Sequence, residues 1–180
     1  GELEALMDGH LPLNAGGLQS LLDETDRLSG IIGGIESLAR AEAGAVNLRK
    51  IPVEVKGLLE TVVNRFRSLF GEKGVFLSLE AEEGLEVSGD PDILGVVLDN
   101  LLRNALAATD RGGKTEVRAY KKAEEVFMVV TDTGKGIEKD DLPYIFERFY
   151  RKMPGGLGIG LTIVRELAQA HGGFVSVESE

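Results

Sequence analysis

The hydrophobic period of the chain changes at residue 51, and that change limits the folds open to it. Upstream, Leu18, Thr25, Ile32 and Ala39 fall seven apart, as do Leu21, Leu28, Ile35 and Glu42. A seam of that period predicts a bundle or coiled-coil helix. It would run from a cap at Asn14 to about Val46, after a short helical piece over 1–7 and the breaker Asp8-Gly9-His10-Leu11-Pro12. Gly33-Gly34 in its middle costs roughly 1 kcal/mol per glycine relative to alanine, so this helix needs packing partners. From Ile51 onward the periods shorten and mix. Ile51, Val53 and Val55 alternate like a strand, as do Val75, Leu77 and Leu79, and 85–87 reads as a short strand. Residues 56–70 put Leu58, Leu59, Val62, Val63 and Phe66 on one side of a helix. Asp90-Pro91 opens another helix that reaches about Thr109. Strands over 114–120 and 126–131 form a hairpin, helices follow over 143–150 and 160–171, and a last strand covers 174–177. The prediction is a mainly antiparallel α+β domain over 51–180, preceded by a partial helical hairpin over 1–48.

Charge and composition remove several functions. The 180 residues carry 20 Lys+Arg against 30 Asp+Glu, a formal charge of −10. Nucleic-acid binding needs excess positive charge, so no nucleic acid is expected among the partners. Cysteine is absent, which excludes disulfides, thiolate metal sites and Cys nucleophiles. Two histidines are too few for a multi-His metal centre. Glycine, with 24 residues, is the one excess, and its clustering matters more than its number.

Four segments carry chemistry. Asn100 and Asn104 lie four apart on a helix and share a face. They are either a satisfied pair of core or rim amides or carbonyl donors to a Mg²⁺ that sits on phosphates. Asp132-Thr133-Gly134-Lys135-Gly136-Ile137 follows a strand directly. It is a turn in the bland reading; in the functional one, Asp132 accepts from an exocyclic amine such as adenine's, with the glycine backbone close to the flat ring. Arg148, Arg151 and Lys152 crowd into five positions of an acidic protein, beside Phe146 and Phe149. They form either a solvated end or a reach toward anionic oxygens. Gly156, Gly158 and Gly160 open a helix at Leu161, as a flexible loop or as a phosphate cradle of backbone N–H groups and helix dipole.

In this order the four segments resemble the N, G1, F and G2 boxes of the catalytic, ATP-binding domain of bacterial sensor histidine kinases. Leu28-Ser29 and Ser37 to Gly44 resemble the end of that family's second dimerisation helix, and Ala170-His171-Gly172-Gly173 its last helix-to-strand passage. The resemblance implies a two-layer α/β sandwich, the Bergerat fold, with helices on one face of a mixed sheet. It implies ATP and Mg²⁺ as ligands. Asn104 would hold the metal, with Asn100 beside it, and Asp132 the adenine amine. Gly134, Gly136 and Ile137 would lie by the base, Arg148 and Arg151 would face the phosphates, and Gly156, Gly158, Gly160 and Leu161 would close over them. Implied partners are a phosphoacceptor helix, the receiver domain of a response regulator and a second copy through the 14–46 helix, in a cytoplasmic setting.

Three departures bear on activity. The family's phosphoacceptor histidine, followed by an acidic residue and Arg-Thr-Pro, has no counterpart, because His10 lies in a helix-breaking loop. The implied chain begins past that histidine and therefore does not autophosphorylate; it also stops before the family's closing strand. A basic residue usual three positions after the second Asn is replaced by Ala107, and only four residues separate Arg151 from Gly156. His171, at a helix end, is expected to be structural, its imidazole suited to the macrodipole. A hydrolysing ATPase on the same fold would need a general-base carboxylate where Asn100 stands. Asp99 points about 100° away around the helix.

Overall fold

A computed structural model describes residues 48–150 and 158–179. The predicted helices over 1–7 and 14–46, their heptad seam, Arg151 and Gly156 lie outside the described residues. Eight elements follow in chain order: β1 (Ile51–Glu54), α1 (Val55–Lys73), β2 (Phe76–Ala81), β3 (Glu86–Gly89), α2 (Pro91–Ala108), β4 (Lys114–Lys122), β5 (Glu125–Asp132) and α3 (Gly160–Ala170).

Local chemistry sets the helix ends. The Glu54 side chain accepts from the N–H groups of Lys56 and Gly57 and starts α1. Gly74, at φ 72°, stops it in the left-handed conformation that costs glycine nothing. Asp90 caps α2 by accepting from Asp92 and Ile93, with Pro91 at the first helical position. At the other end of α2, Lys73 donates to the carbonyls of Leu106 and Ala107, which have no partner within the helix.

β2, β4 and β5 form a mixed sheet in the order β2-β4-β5. β4 and β5 pair antiparallel, with Thr115 opposite Asp132 and Tyr120 opposite Phe127. β2 runs parallel to β4, with Phe76 opposite Lys114. Two of the three described strand pairings are antiparallel, as expected, and the parallel β2–β4 pair makes the sheet mixed, as the resemblance implies. β3 and α2 carry the chain from β2 back to β4, and so long a crossover permits parallel pairing. β1 and β3 make a separate antiparallel ribbon, Ile51 opposite Gly89.

The main core lies between the sheet and the helices. Val55, Leu59, Val62, Val63, Phe66 and Phe70 of α1 meet Leu98 and Leu102 of α2 over Val117 and Ala119 of β4. A second cluster is smaller: Ile159, Ile163 and Leu167 pack on Ile93, Val96 and Val97. Through it α3 attaches to α2. The result is a two-layer α/β sandwich with its helices on one face.

Two expected elements are absent. Residues 143–150 are not a helix but a succession of turns, in which Tyr144 bonds back to Asp141, and Glu147 to Tyr144. Phe149 sits at φ 65°, which no α-helix allows, and its N–H bonds to Gly158 instead of to the preceding turn. Residues 174–177 form no strand. Phe174 packs edge-on to Phe127, and the Ser179 hydroxyl accepts from the Ile137 N–H at 2.7 Å. Side chains, not a backbone ladder, hold this stretch.

Candidate functional site

α2 positions both amides of the first segment. Its apolar positions Leu98, Leu102 and Ala105 are buried, which turns Asn100 and Asn104 toward the start of α3. Asn100 is half-buried and donates from Nδ2 to the Val96 carbonyl at 2.8 Å. That bond orients the group and leaves its Oδ1 outward. A Cβ on Gly160 would lie 3.0 Å from Asn100 Oδ1 and 4.0 Å from Asn104 Oδ1. Two carbonyl oxygens therefore converge on one point beside the first residue of α3. Only a glycine leaves that point open.

Such oxygens are hard donors of the kind Mg²⁺ takes. Among the described residues no group of three or more His, Asp or Glu side chains could hold a metal alone. The two facts fit each other, since Mg²⁺ is commonly bound by one or two protein groups with water and substrate phosphates as the remaining ligands. The bland alternative, a satisfied pair of core or rim amides, is compatible with the same geometry. Asn100 bonds to backbone, and Asn104 is exposed.

The second segment sits at the C-terminal end of α2. Asp132 ends β5, exposed, and its Oδ1 accepts from the Gly134 N–H at 2.8 Å. One carboxylate oxygen thus shapes the turn, and an exposed carboxylate keeps further lone pairs for a ligand. Gly134 touches α2 itself: a Cβ there would lie 2.7 Å from the Ala108 carbonyl oxygen. This contact fixes Asp132 against the last turn of α2. From Asn100 to Ala108 the helix rises about 12 Å, the scale of an extended nucleotide. Gly136 follows at φ 67°, and Ile137 is half-buried. Thr115, opposite Asp132 in the ladder, has a fully buried hydroxyl with no partner among the described residues. Sequence reasoning passed over it, because a threonine in a strand carries no signal.

The remaining residues are placed unevenly. Gly158, at φ 70°, closes a clip with Phe149, whose N–H donates to its carbonyl at 2.9 Å. Gly160 and Leu161 lie in the first turn of α3, beside the amides. Arg148 is exposed in the turns before Phe149. Ala107 is exposed in the last turn of α2, so no cation stands there. Thr162, fully buried, donates to the Phe146 carbonyl and ties α3 to the turn segment.

Two carboxylates near α2 are committed elsewhere. Asp99 pairs with Arg65 of α1 at 2.7 Å, directed away from the amides as the helical angle requires. It cannot serve as a base at Asn100. Asp90 is held below the usual carboxylate range. Burial pushes it up, but the N–H groups of Arg49, Ile93 and Asp92 together pull it down further. His171 has a structural role, as expected. Its Nε2 accepts from the Asp90 N–H at 3.1 Å while Nδ1 faces the Leu167 carbonyl at 2.8 Å. A ring that accepts at one nitrogen and donates at the other is neutral, so it does not act on the macrodipole as a cation.

The sequence profile described as "Histidine kinase-, DNA gyrase B-, and HSP90-like ATPase" matches residues 89–180. The signal transduction histidine-protein kinase BaeS of Escherichia coli is 34% identical over 181 residues, which cover 97% of this chain and 39% of BaeS. The Acinetobacter baumannii histidine kinase AdeS superposes with a TM-score of 0.76 at 24% identity, over 94% of this chain and 80% of that one, a likeness of fold. Full-length ShkA, solved in complex with AMPPNP, gives 0.75 at 29% identity, over 91% of this chain and 36% of that one. The chain belongs to the histidine kinase-, DNA gyrase B- and HSP90-like ATPases. Within them its relatives are sensor histidine kinases, and its domain is of their catalytic, ATP-binding type. It spans about two fifths of the length of such relatives. No described helix is long and apolar enough to cross a membrane.

Proposed function

We propose that this chain binds Mg²⁺-ATP along α2 and acts as the catalytic part of a sensor histidine kinase. The observation that carries the reading is the convergence of Asn100 Oδ1 and Asn104 Oδ1 on Gly160, with Asp132 and Gly134 held at the last turn of the same helix. Asp132 would accept from the adenine amine, with Gly134, Gly136 and Ile137 beside the base. Asn104, with Asn100 beside it, would hold Mg²⁺, which when bound neutralises phosphate charge. The first N–H groups of α3, with Gly158, Gly160 and Leu161, would receive the phosphates, and Gly156, Arg148 and Arg151 would complete that side. ShkA, solved with AMPPNP, supports the choice of nucleotide.

The reaction is transfer of the γ-phosphoryl group to a histidine on a partner helix. The bond from γ-phosphorus to the β–γ bridging oxygen breaks, a phosphorus–nitrogen bond forms, and ADP leaves as the imidazole gives up its proton. This chain's residues supply position and charge neutralisation, which is most of what such chemistry needs. The phosphoryl group would then pass to the aspartate of a response-regulator receiver domain. Residues 1–48 would be a partial dimerisation hairpin and 51–180 the catalytic domain, in the cytoplasm, with the 14–46 helix able to pair two copies. Asp99, paired with Arg65, speaks against a hydrolysing ATPase.

Titration calorimetry with AMPPNP, with and without Mg²⁺, tests the binding step. The expected affinity is micromolar to millimolar, about −4 to −8 kcal/mol. GTP should give no heat, and an equal response to GTP would remove the role given to Asp132. Radiolabelled ATP should leave the chain alone unlabelled and should label an added helical hairpin bearing the acceptor histidine. Label on this chain that is lost in His10→Ala would overturn that assignment.

A further inference from the structure

α2 and α3 run antiparallel, so the two helices meet at both ends of one interface. At one end Gly160 faces Asn100 and Asn104. At the other, His171 meets the cap of α2. Between them Ile159, Ile163 and Leu167 pack on Ile93, Val96 and Val97. A patch of aliphatic side chains resists separation but tolerates sliding, because burial is non-directional. A hydrogen bond at one end fixes the slide.

The only such bond between α2's cap and the end of α3 among the described residues runs through His171. Asp90 N–H can only donate, so Nε2 must carry a lone pair. Nδ1, at 2.8 Å from the Leu167 carbonyl, must then carry the proton. The ring lies against Gly89, where a Cβ would come within 3.1 Å of His171 Cδ2. The surrounding charges bind elsewhere: the Asp90 carboxylate takes the N–H groups of Arg49, Asp92 and Ile93, and Lys50 donates to the His171 carbonyl.

We propose that His171, in its neutral Nδ1–H form, is a positioning residue for the nucleotide: it sets the axial register of α3 on α2, and so the placement of the first turn of α3 against the oxygens of Asn100 and Asn104. This rests on the nucleotide reading above and deepens it. The residue touches neither nucleotide nor metal. A slip at its end carries along α3 to the phosphate side and leaves the Asp132 corner, which is anchored on β5 and on Ala108, where it was.

The test uses the whole 180-residue chain, with Mg²⁺-AMPPNP and adenosine as separate probes. His171→Ala should weaken Mg²⁺-AMPPNP about tenfold, the worth of one net hydrogen bond, and leave adenosine affinity unchanged. His171→Gln, whose Oε1 can accept from Asp90 N–H, should restore most of the loss. Long-range ¹H–¹⁵N spectra should show His171 as the Nδ1–H tautomer. Equal weakening of both probes, no weakening, or no recovery with Gln would overturn the positioning role, as would an Nε2–H tautomer. If the unaltered chain binds neither probe, the nucleotide reading fails and the positioning role with it. If it binds both and only the variants disagree, the positioning role alone fails.

Discussion

The two hydrophobic clusters of this domain differ in what they hold. The larger one joins α1, α2 and the sheet through twelve buried residues, and Asp132 and Gly134 are built on its frame. The smaller one attaches α3 through three buried residues and a few partly buried partners. A ligand that bridges the two meets one rigid corner and one adjustable corner. In the proposed reading the base side would be set by ladder pairing and by the contact of Gly134 with Ala108, and the phosphate side by where α3 rests. Local stability follows the amount of buried contact, so α3, held by the smaller cluster and by its buried Thr162 and Val164, is expected to open before α1.

The sharpest way to break this comparison is to damage each cluster in turn. Leu102→Ala, in the main core, should cost about 3–5 kcal/mol and unfold the domain cooperatively at lower denaturant. Ile163→Ala should cost nearer about 2 kcal/mol, yet weaken Mg²⁺-AMPPNP more than any equally mild core change. Denaturant melts paired with calorimetry decide it; equal stability losses with equal affinities would erase the distinction. Next in size is Asn104→Ala. This side chain is exposed, so the fold should survive while the Mg²⁺-dependent part of nucleotide affinity disappears. If the protein instead unfolds and the metal dependence stays, the amide is structural.

Gly160→Ala separates propensity from fit. Alanine favours a helix over glycine by about 1 kcal/mol, so α3 should hold or gain stability. The new methyl would sit 3.0 Å from Asn100 Oδ1, and nucleotide affinity should fall several-fold. The smallest effect concerns the cap of α2. Asp90→Ala should cost about 1 kcal/mol at neutral pH. Because the folded carboxylate titrates below its unfolded range, its contribution is complete above that range and is lost as pH falls through the folded value. The stability gap between the two proteins should therefore close in acid, as read from denaturant midpoints across pH.

Much of this was legible in the sequence. The helical period put Asn100 and Asn104 on one face and turned Asp99 away, and the structure bears out both. Asp90-Pro91 marked the start of α2, and the β4–β5 hairpin was readable from its alternation. What escaped was non-local. Nothing in Val75–Leu79 says that β2 will lie parallel to β4. Residues 143–150 look amphipathic, but the chain runs through successive turns and Phe149 takes a positive φ. Phe174 to Val177 alternate like a strand without the backbone partner that would make them one. His171 was legible as structural, but its partner Asp90, 81 residues earlier, was not.

Backbone hydrogen exchange, read by mass spectrometry with and without Mg²⁺-AMPPNP, tests the central claim most directly. In the free chain, Gly160–Ala170 should exchange faster than α1 and the β4–β5 ladder. On binding, protection should rise most at the first turn of α3 and little at Asp132–Gly134. An α3 already as protected as α1, or protection that rises evenly over both corners, would contradict the account of one fixed and one adjustable side.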